Sequence, residues 1–289
     1  MPTYYPRFAC IKEKCRHNCC IGWEIDIDAE SAARYKHEEG AFGEKIRRNI
    51  EVTDGTPHFK LAENGRCPFL TKENLCEMHI KSGEDALCQI CKDHPRYRNY
   101  YSFGVEMGLG ACCEAALKLI LQEKKTPRFI LLSGNGKKKP NETEERFFAL
   151  RTHLLDMAFD ASLPLHKRPG AICEEFGLQL PEKDVYSLYS GFTVLHLSWK
   201  DKIERLKTVR EPLFFTFFPQ LFSYFLCRHF AGGLADGRLT ARLRFALHAT
   251  DVILRLSMSE EEVQETARAY AEEIEYAAEN TEAVLDFLS

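Results

Sequence analysis

From Val263 to Leu288 apolar or small residues recur at alternating steps of four and three: Val263, Ala267, Tyr270, Ile274, Ala277, Thr281, Val284 and Leu288. Those steps lay one stripe along a helix, and Ser259 with Glu262 three residues on forms a capping box at its start. The stripe is expected to pack on a helical bundle; a coiled-coil seam is the other use of the same spacing. Phe147, Leu150, Leu154 and Ala158 repeat the helical step upstream. Further helices are expected over about 183–206, over 212–230 with a break or kink near Pro219, and over 239–257 after the turn Asp236-Gly237.

Toward the N-terminus the period changes. Trp23, Ile25 and Ile27 alternate with Glu24, Asp26 and Asp28, the pattern of a half-buried strand. Asp28 is placed to cap a polar helix that follows it. Between 51 and 113 the pattern dissolves into Gly55, Pro57, Gly65, Pro68, Gly83, Pro95, Gly104, Gly108 and Gly110, which predicts short loops and turns. A helix is expected again from Glu114. The fold class read from this is mainly α: an irregular, cysteine-rich, metal-binding N-terminal half followed by a helical bundle. The expected divisions are 1–132, a linker at 133–142 opening Ser133-Gly134-Asn135-Gly136, and 143–289.

Charge alters this picture little. Residues 259–289 carry ten acidic side chains against Arg268 alone, so the other 258 residues hold +5 of an overall −4. No Lys/Arg stripe with interleaved aromatics accompanies that excess, so nucleic acid is not an expected partner. The Phe-rich run Leu213–Leu226 is too short to cross a bilayer and contains Pro219; it is read as a buried helix, and no membrane partner is expected. The opening residues lack the basic and apolar regions of a secretory signal, so a cytoplasmic location with reduced thiols is expected.

Cysteine changes the picture most. Ten of twelve cysteines lie between Cys10 and Cys113, reading Cys10-x4-Cys15-x3-Cys19-Cys20, then Cys67, Cys76, Cys88-x2-Cys91 and Cys112-Cys113. Disulfides, structural zinc and an iron–sulfur cluster are the competing explanations. A reduced compartment disfavours the first, and no His-x3–5-His completes a zinc finger, although Cys88-x2-Cys91 has a zinc knuckle's spacing. His79 and His94 stand near cysteines as candidate ligands, with capping or core roles as the alternative.

The runs Cys15-Arg-His-Asn-Cys19-Cys20-Ile-Gly-Trp23-Glu-Ile-Asp-Ile-Asp28, Cys67-Pro-Phe-Leu70, Leu75-Cys76, Gly83-Glu84-x-x-Leu87-Cys88-x-x-Cys91, His94-Pro95-Arg96 and Ala111-Cys112-Cys113-Glu114, in this order, resemble the flagellin lysine N-methylase family. More loosely they are similar to proteins described as CxxCxxxCC iron- or zinc-chelating. The resemblance implies S-adenosylmethionine-dependent methylation of lysine ε-amines on flagellin, or on another lysine-bearing protein, with a 4Fe–4S cluster. It puts Cys10, Cys15, Cys19, Cys20, Cys67, Cys76, Cys88, Cys91 and Cys112 at the family's cysteine places. The non-catalytic alternative is a zinc- or iron-binding protein-interaction module.

Methylating an amine requires its neutral form, and free lysine has a pKa of about 10.4, so a site must desolvate it or supply a base. Asp26, Asp28, Glu84 and Glu114 are the carboxylates beside the cysteine runs that can steer an ammonium group or take a proton; solvated surface carboxylates are the alternative. Arg96 is the candidate clamp for the cofactor carboxylate, against a structural ion pair. No glycine-rich nucleotide loop precedes a βαβ unit, which argues against a Rossmann-type methyltransferase.

Overall fold

A computed structural model describes residues 1–131, 138–180, 184–208 and 211–289. It divides into two units, one comprising Ala9–Pro95, the other Met1–Phe8 together with Arg96–Ser289. The described residues are mainly helical. Among them no helix is long and apolar enough to cross a membrane.

The unit of residues 9–95 holds helices α1 (Ala29–His37) and α2 (Gly40–Arg48), strands β1 (Ile50–Thr53) and β2 (Thr56–Phe59), and short helices α3 (Glu77–Ser82) and α4 (Gln89–Asp93). β1 and β2 form an antiparallel hairpin about Asp54-Gly55, both at positive φ. That is the Asp-Gly turn whose backbone twist matches the strands it joins, a hairpin signal carried by the sequence itself. The expected strand at 23–28 is not a regular ladder. Isolated bridges join Ile21 to Arg66 and Asp26 to His58, yet the alternation survives as burial: Ile25 and Ile27 are buried while Glu24 and Asp26 are exposed. Asp28 does cap α1, accepting from Ser31 N–H at 2.9 Å.

This unit's core is small: Ile25, Ile27, Tyr35, Ile46, Phe59, Cys67, Phe69, Met78 and Cys88. Phe59 and Phe69 meet edge to face, with ring centres 4.9 Å apart. Nine buried side chains supply little apolar burial for a segment of this length, and two of them are thiols.

The larger unit begins with hairpin β3 (Arg96–Tyr101) and β4 (Gly104–Leu109), paired from Arg96↔Leu109 to Tyr101↔Gly104. Tyr97 lies opposite Gly108, and a side chain at Gly108 would strike its ring. Helices α5 (Glu114–Leu121), α6 (Glu142–Phe159), α7 (Arg168–Glu175), α8 (Val185–Ser190), α9 (Leu197–Ile203), α10 (Phe218–His229), α11 (Gly233–Asp236), α12 (Leu239–Leu256), α13 (Glu260–Tyr270) and α14 (Ala278–Phe287) follow. α10 is buried along its length apart from the partly exposed Arg228. It packs on α12, α6 and α5.

Three expectations are corrected here. Pro219 sits in the first turn of α10, where its missing N–H costs nothing, so it starts the helix rather than kinking it. The helix expected from 183 to 206 is two, α8 and α9, separated at Gly191–His196. The C-terminal stripe is carried by α13 and α14 with a π-helical turn, Ala271–Glu275, between them. Its register still serves the core: Val263, Ala267, Tyr270, Ile274, Val284 and Leu288 are fully buried. The capping box is half formed, because Glu262 N–H donates to Ser259 whereas the Glu262 carboxylate turns to Met258 N–H.

The expected boundary at 132 also differs from the observed units. Arg151 of α6 forms a two-pronged ion pair with Glu106 of β4 at 2.7 Å on each prong. Asn99 of β3 donates to the Cys227 carbonyl of α10, and Ser102 N–H donates to Glu144. These bonds bind residues 96–109 to the helices. The chain's opening residues join the same unit: Pro2 bridges Phe129, and Arg96 lies over the Phe8 ring at 5.3 Å. Residues 133–137 of the expected linker lie outside the described residues, and 142 already opens α6, capped by Asn141.

Candidate metal centre in the cysteine-rich unit

Backbone hydrogen bonds strap the loops of residues 9–95 together at their cysteines. Cys67 N–H donates to the Cys20 carbonyl at 2.8 Å, and Gly22 N–H to Gly65 at 2.8 Å. The Asn18 side chain accepts from Cys20 N–H and donates to the Asn74 carbonyl. Arg66 pins the turn between Cys67 and Cys76 through the Thr71 carbonyl and the Asn74 side chain, at 2.8 and 3.0 Å. On the other side Tyr35 and Arg34 of α1 donate to the carbonyls of Ala86 and Leu87, which precede Cys88.

The result is a set of six thiols, Cys19, Cys20, Cys67, Cys76, Cys88 and Cys91, within electrostatic reach of one another. The sulfurs of Cys88 and Cys91 lie 3.5 Å apart. Their shared hydrogen bond lowers the pKa of Cys88 and raises that of Cys91, and the Cys19–Cys20 bond likewise lowers Cys19 and raises Cys20. Burial pushes Cys67 up to about 11 and raises Cys76. Against burial, backbone N–H groups are aimed at the sulfurs: Phe69 at Cys67, Met78 and His79 at Cys76, and Cys91 at Cys88. N–H groups directed at sulfur favour the thiolate, the form that binds metal.

All twelve cysteines are free thiols, so no pairing accounts for the crowding. The donor set fits a thiophilic centre: six gathered sulfurs, of which Cys67 and Cys88 are buried and Cys19 is exposed, N–H groups turned toward three of them, and a small core for the centre to supplement. Among the described residues no three His, Cys, Asp or Glu side chains converge on one point closely enough for a single ion.

Cys10, Cys15 and Cys112 are the remaining expected ligands. Cys10 is exposed and its sulfur accepts from Lys12 N–H, whereas Cys15 donates to the His17 carbonyl. Cys112 belongs to the larger unit, where burial pushes it up to about 12 and its thiol interacts with Tyr276. Of the carboxylates, Asp26 and Glu84 are exposed on the smaller unit. Asp28 is engaged at both oxygens, by Ser31 N–H at 2.9 Å and Gln89 N–H at 2.8 Å. Burial raises its pKa, but these bonds outweigh burial and hold it at about 2. A carboxylate so occupied is a poor proton acceptor. Glu114 opens α5, and Arg96 opens β3 against Phe8, both in the larger unit.

No local pattern along the chain foretells a second buried polar group. In the larger unit, the Glu275 side chain is fully enclosed; it accepts from Tyr224 at 2.7 Å, from His229 at 2.5 Å, and pairs with Arg228 at 3.0 Å. Arg228 lies over the rings of Tyr97 and Tyr276. The partners are some fifty residues apart, a separation that no local period reports. An open cleft of about 680 Å³ lies in this unit too, lined by Tyr100, Ser102, Asn141 and Leu234 among others.

A helical unit interrupted in sequence by a thiol-rich segment defines a class, a cysteine-rich and mainly helical protein, rather than an activity. Comparison with known proteins goes further. Over 128 residues, 42% of this chain, it is 28% identical to the lysine-N-methylase of Salmonella typhimurium strain LT2 and 27% identical to that of Salmonella choleraesuis. Over the same share it is 27% identical to the flagellar biosynthetic protein FliU of Salmonella muenchen, of which 76% is covered. The chain is thus similar, over part of its length, to curated proteins named lysine-N-methylase and FliU, in keeping with the family its motifs resemble. It spans about a third of the length of the two lysine-N-methylases it matches. No family profile and no solved structure matches it.

Proposed function

We propose that this chain takes part in S-adenosylmethionine-dependent methylation of protein lysine, with flagellin or another lysine-bearing protein as substrate, and that the ligands of a 4Fe–4S cluster are drawn from among Cys19, Cys20, Cys67, Cys76, Cys88 and Cys91. The gathering of those six thiols in one small unit carries the reading, with the names of the relatives beside it. A cluster held by three of these thiolates would leave one iron open to the amino and carboxylate groups of S-adenosylmethionine. The chain's own part is to hold the thiolates, to exclude water with Phe59, Phe69 and Tyr35, and to meet an incoming ammonium with the exposed carboxylates Asp26 and Glu84.

One observation favours a second reading, a zinc-binding interaction module. The 3.5 Å between the sulfurs of Cys88 and Cys91 is near the roughly 3.8 Å that tetrahedral zinc with Zn–S bonds of about 2.3 Å imposes. Anaerobic purification followed by metal and sulfide analysis separates the two. Four irons and four sulfides per chain, with mass gain on flagellin lysines after incubation with S-adenosylmethionine, are expected. A colourless protein with stoichiometric zinc and no methyl transfer would sink the enzyme reading.

A further inference from the structure

Helix α1 holds the backbone on both sides of Cys88. Tyr35 donates to the Ala86 carbonyl at 2.7 Å, Arg34 to the Leu87 carbonyl at 3.0 Å, and Asp28, the cap of α1, accepts from Gln89 N–H at 2.8 Å. Three backbone groups around one cysteine are therefore tied to a single helix. Cys88 is the cap residue of α4, and Cys91 lies three residues further, in its first turn. A shift of Gln89 moves both sulfurs.

We infer that Asp28 is a positioning residue for the thiol centre: its carboxylate spans from α1 to Gln89, fixes the Cys88–Cys91 pair and sets a permanent negative charge beside it. The inference rests on the metal reading above. It assigns to Asp28 a task different from the proton transfer that its place beside the cysteine runs suggested. The two oxygens act separately. One serves α1, through Ser31; the other serves the cysteine pair, through Gln89. Only a side chain with two acceptor oxygens serves both.

The division permits a clean test in the full-length protein. Asp28→Ser keeps a good helix cap for α1 but cannot also reach Gln89, and it removes the charge. Asp28→Glu restores the charge on a longer arm. Each variant is loaded with Zn(II), or separately with iron and sulfide, and loss of metal to excess EDTA is timed. Partners of this kind are worth about 10- to 100-fold in metal affinity. Asp28→Ser is therefore expected to lose zinc at least about tenfold faster than the parent, with unchanged helical circular dichroism, and Asp28→Glu to recover part of that loss. In the iron-loaded form the reduction potential of Asp28→Ser is expected to be more positive, because a neighbouring negative charge opposes reduction. Parent-like release and an unmoved potential in Asp28→Ser would overturn the inference and leave the metal reading standing. A parent protein that takes up neither zinc nor iron would overturn both.

Discussion

His248, buried in α12, stacks on Tyr189 with ring centres 5.9 Å apart, and its Nε2 has no hydrogen-bond partner among the described residues. Burial, aided by Arg255, lowers its pKa from 6.5 to about 4. The unfolded chain therefore binds a proton between those values that the folded chain refuses. Stability from this residue is complete above pH 6.5 and is lost as pH falls toward 4, by about 3 kcal/mol in all. His248→Phe keeps a ring against Tyr189 and removes the titration. Urea denaturation at several pH values is expected to show a flatter profile for the variant between pH 6.5 and 4; parallel profiles would refute it. Little at this scale could be read from the chain alone. Asp28 was legible as a cap, since Asp before a polar helix is a local signal, but its second bond, to Gln89, joins residues 61 apart. Glu275 entered the sequence reading only as one of ten acids in 259–289, whereas three of them, Glu272, Glu273 and Glu275, turn inward to Arg268, to Leu195 and His196 N–H, and to Arg228.

Helices α6, α10 and α12 were legible because each carries a long run of one period, and a period is the imprint of one buried face. The π turn at 271–275 was not, since its apolar spacing continues through it. Hairpin β3–β4 was taken for loops: its strands hold Arg96, Arg98 and Glu106 among aromatics, and its attachment depends on the pair Arg151–Glu106. That pair is buried, at 5% and 12% side-chain exposure, with Arg151 also over the rings of Phe129, Phe147 and Phe148. Glu106→Gln leaves the guanidinium enclosed without its counter-charge and is expected to cost about 3–5 kcal/mol in urea denaturation. The double change Glu106→Leu with Arg151→Met removes both charges and is expected to recover most of that loss. A double variant as unstable as the single one would show that the pair's charges are not what holds hairpin to helix.

Across the whole molecule, the cysteine count was legible as a metal signal, but the boundary of the cysteine-rich unit was not. Cys112 and Cys113 lie close in sequence to the other cysteines, while their packing follows α5 into the larger core. The observed division predicts that residues 9–95 can be exchanged for a short Gly/Ser linker without unfolding the remainder, since Arg96 already lies over Phe8. The shortened protein is expected to keep a cooperative thermal transition by circular dichroism; a gradual, non-cooperative melt would contradict it.

That one meeting of Phe8 with Arg96 has a kinetic side. Once the larger unit has formed, the segment that interrupts it is a ring with a fixed clasp, and its freedom as an open chain is already gone. Loop-closure entropy grows slowly with length, by about 0.6 kcal/mol per doubling, so most of the cost of gathering distant sulfurs lies in closing the ring at all. Cys19 and Cys91, far apart along the chain, then search for one another inside a confined volume, before any ion arrives to reward the encounter.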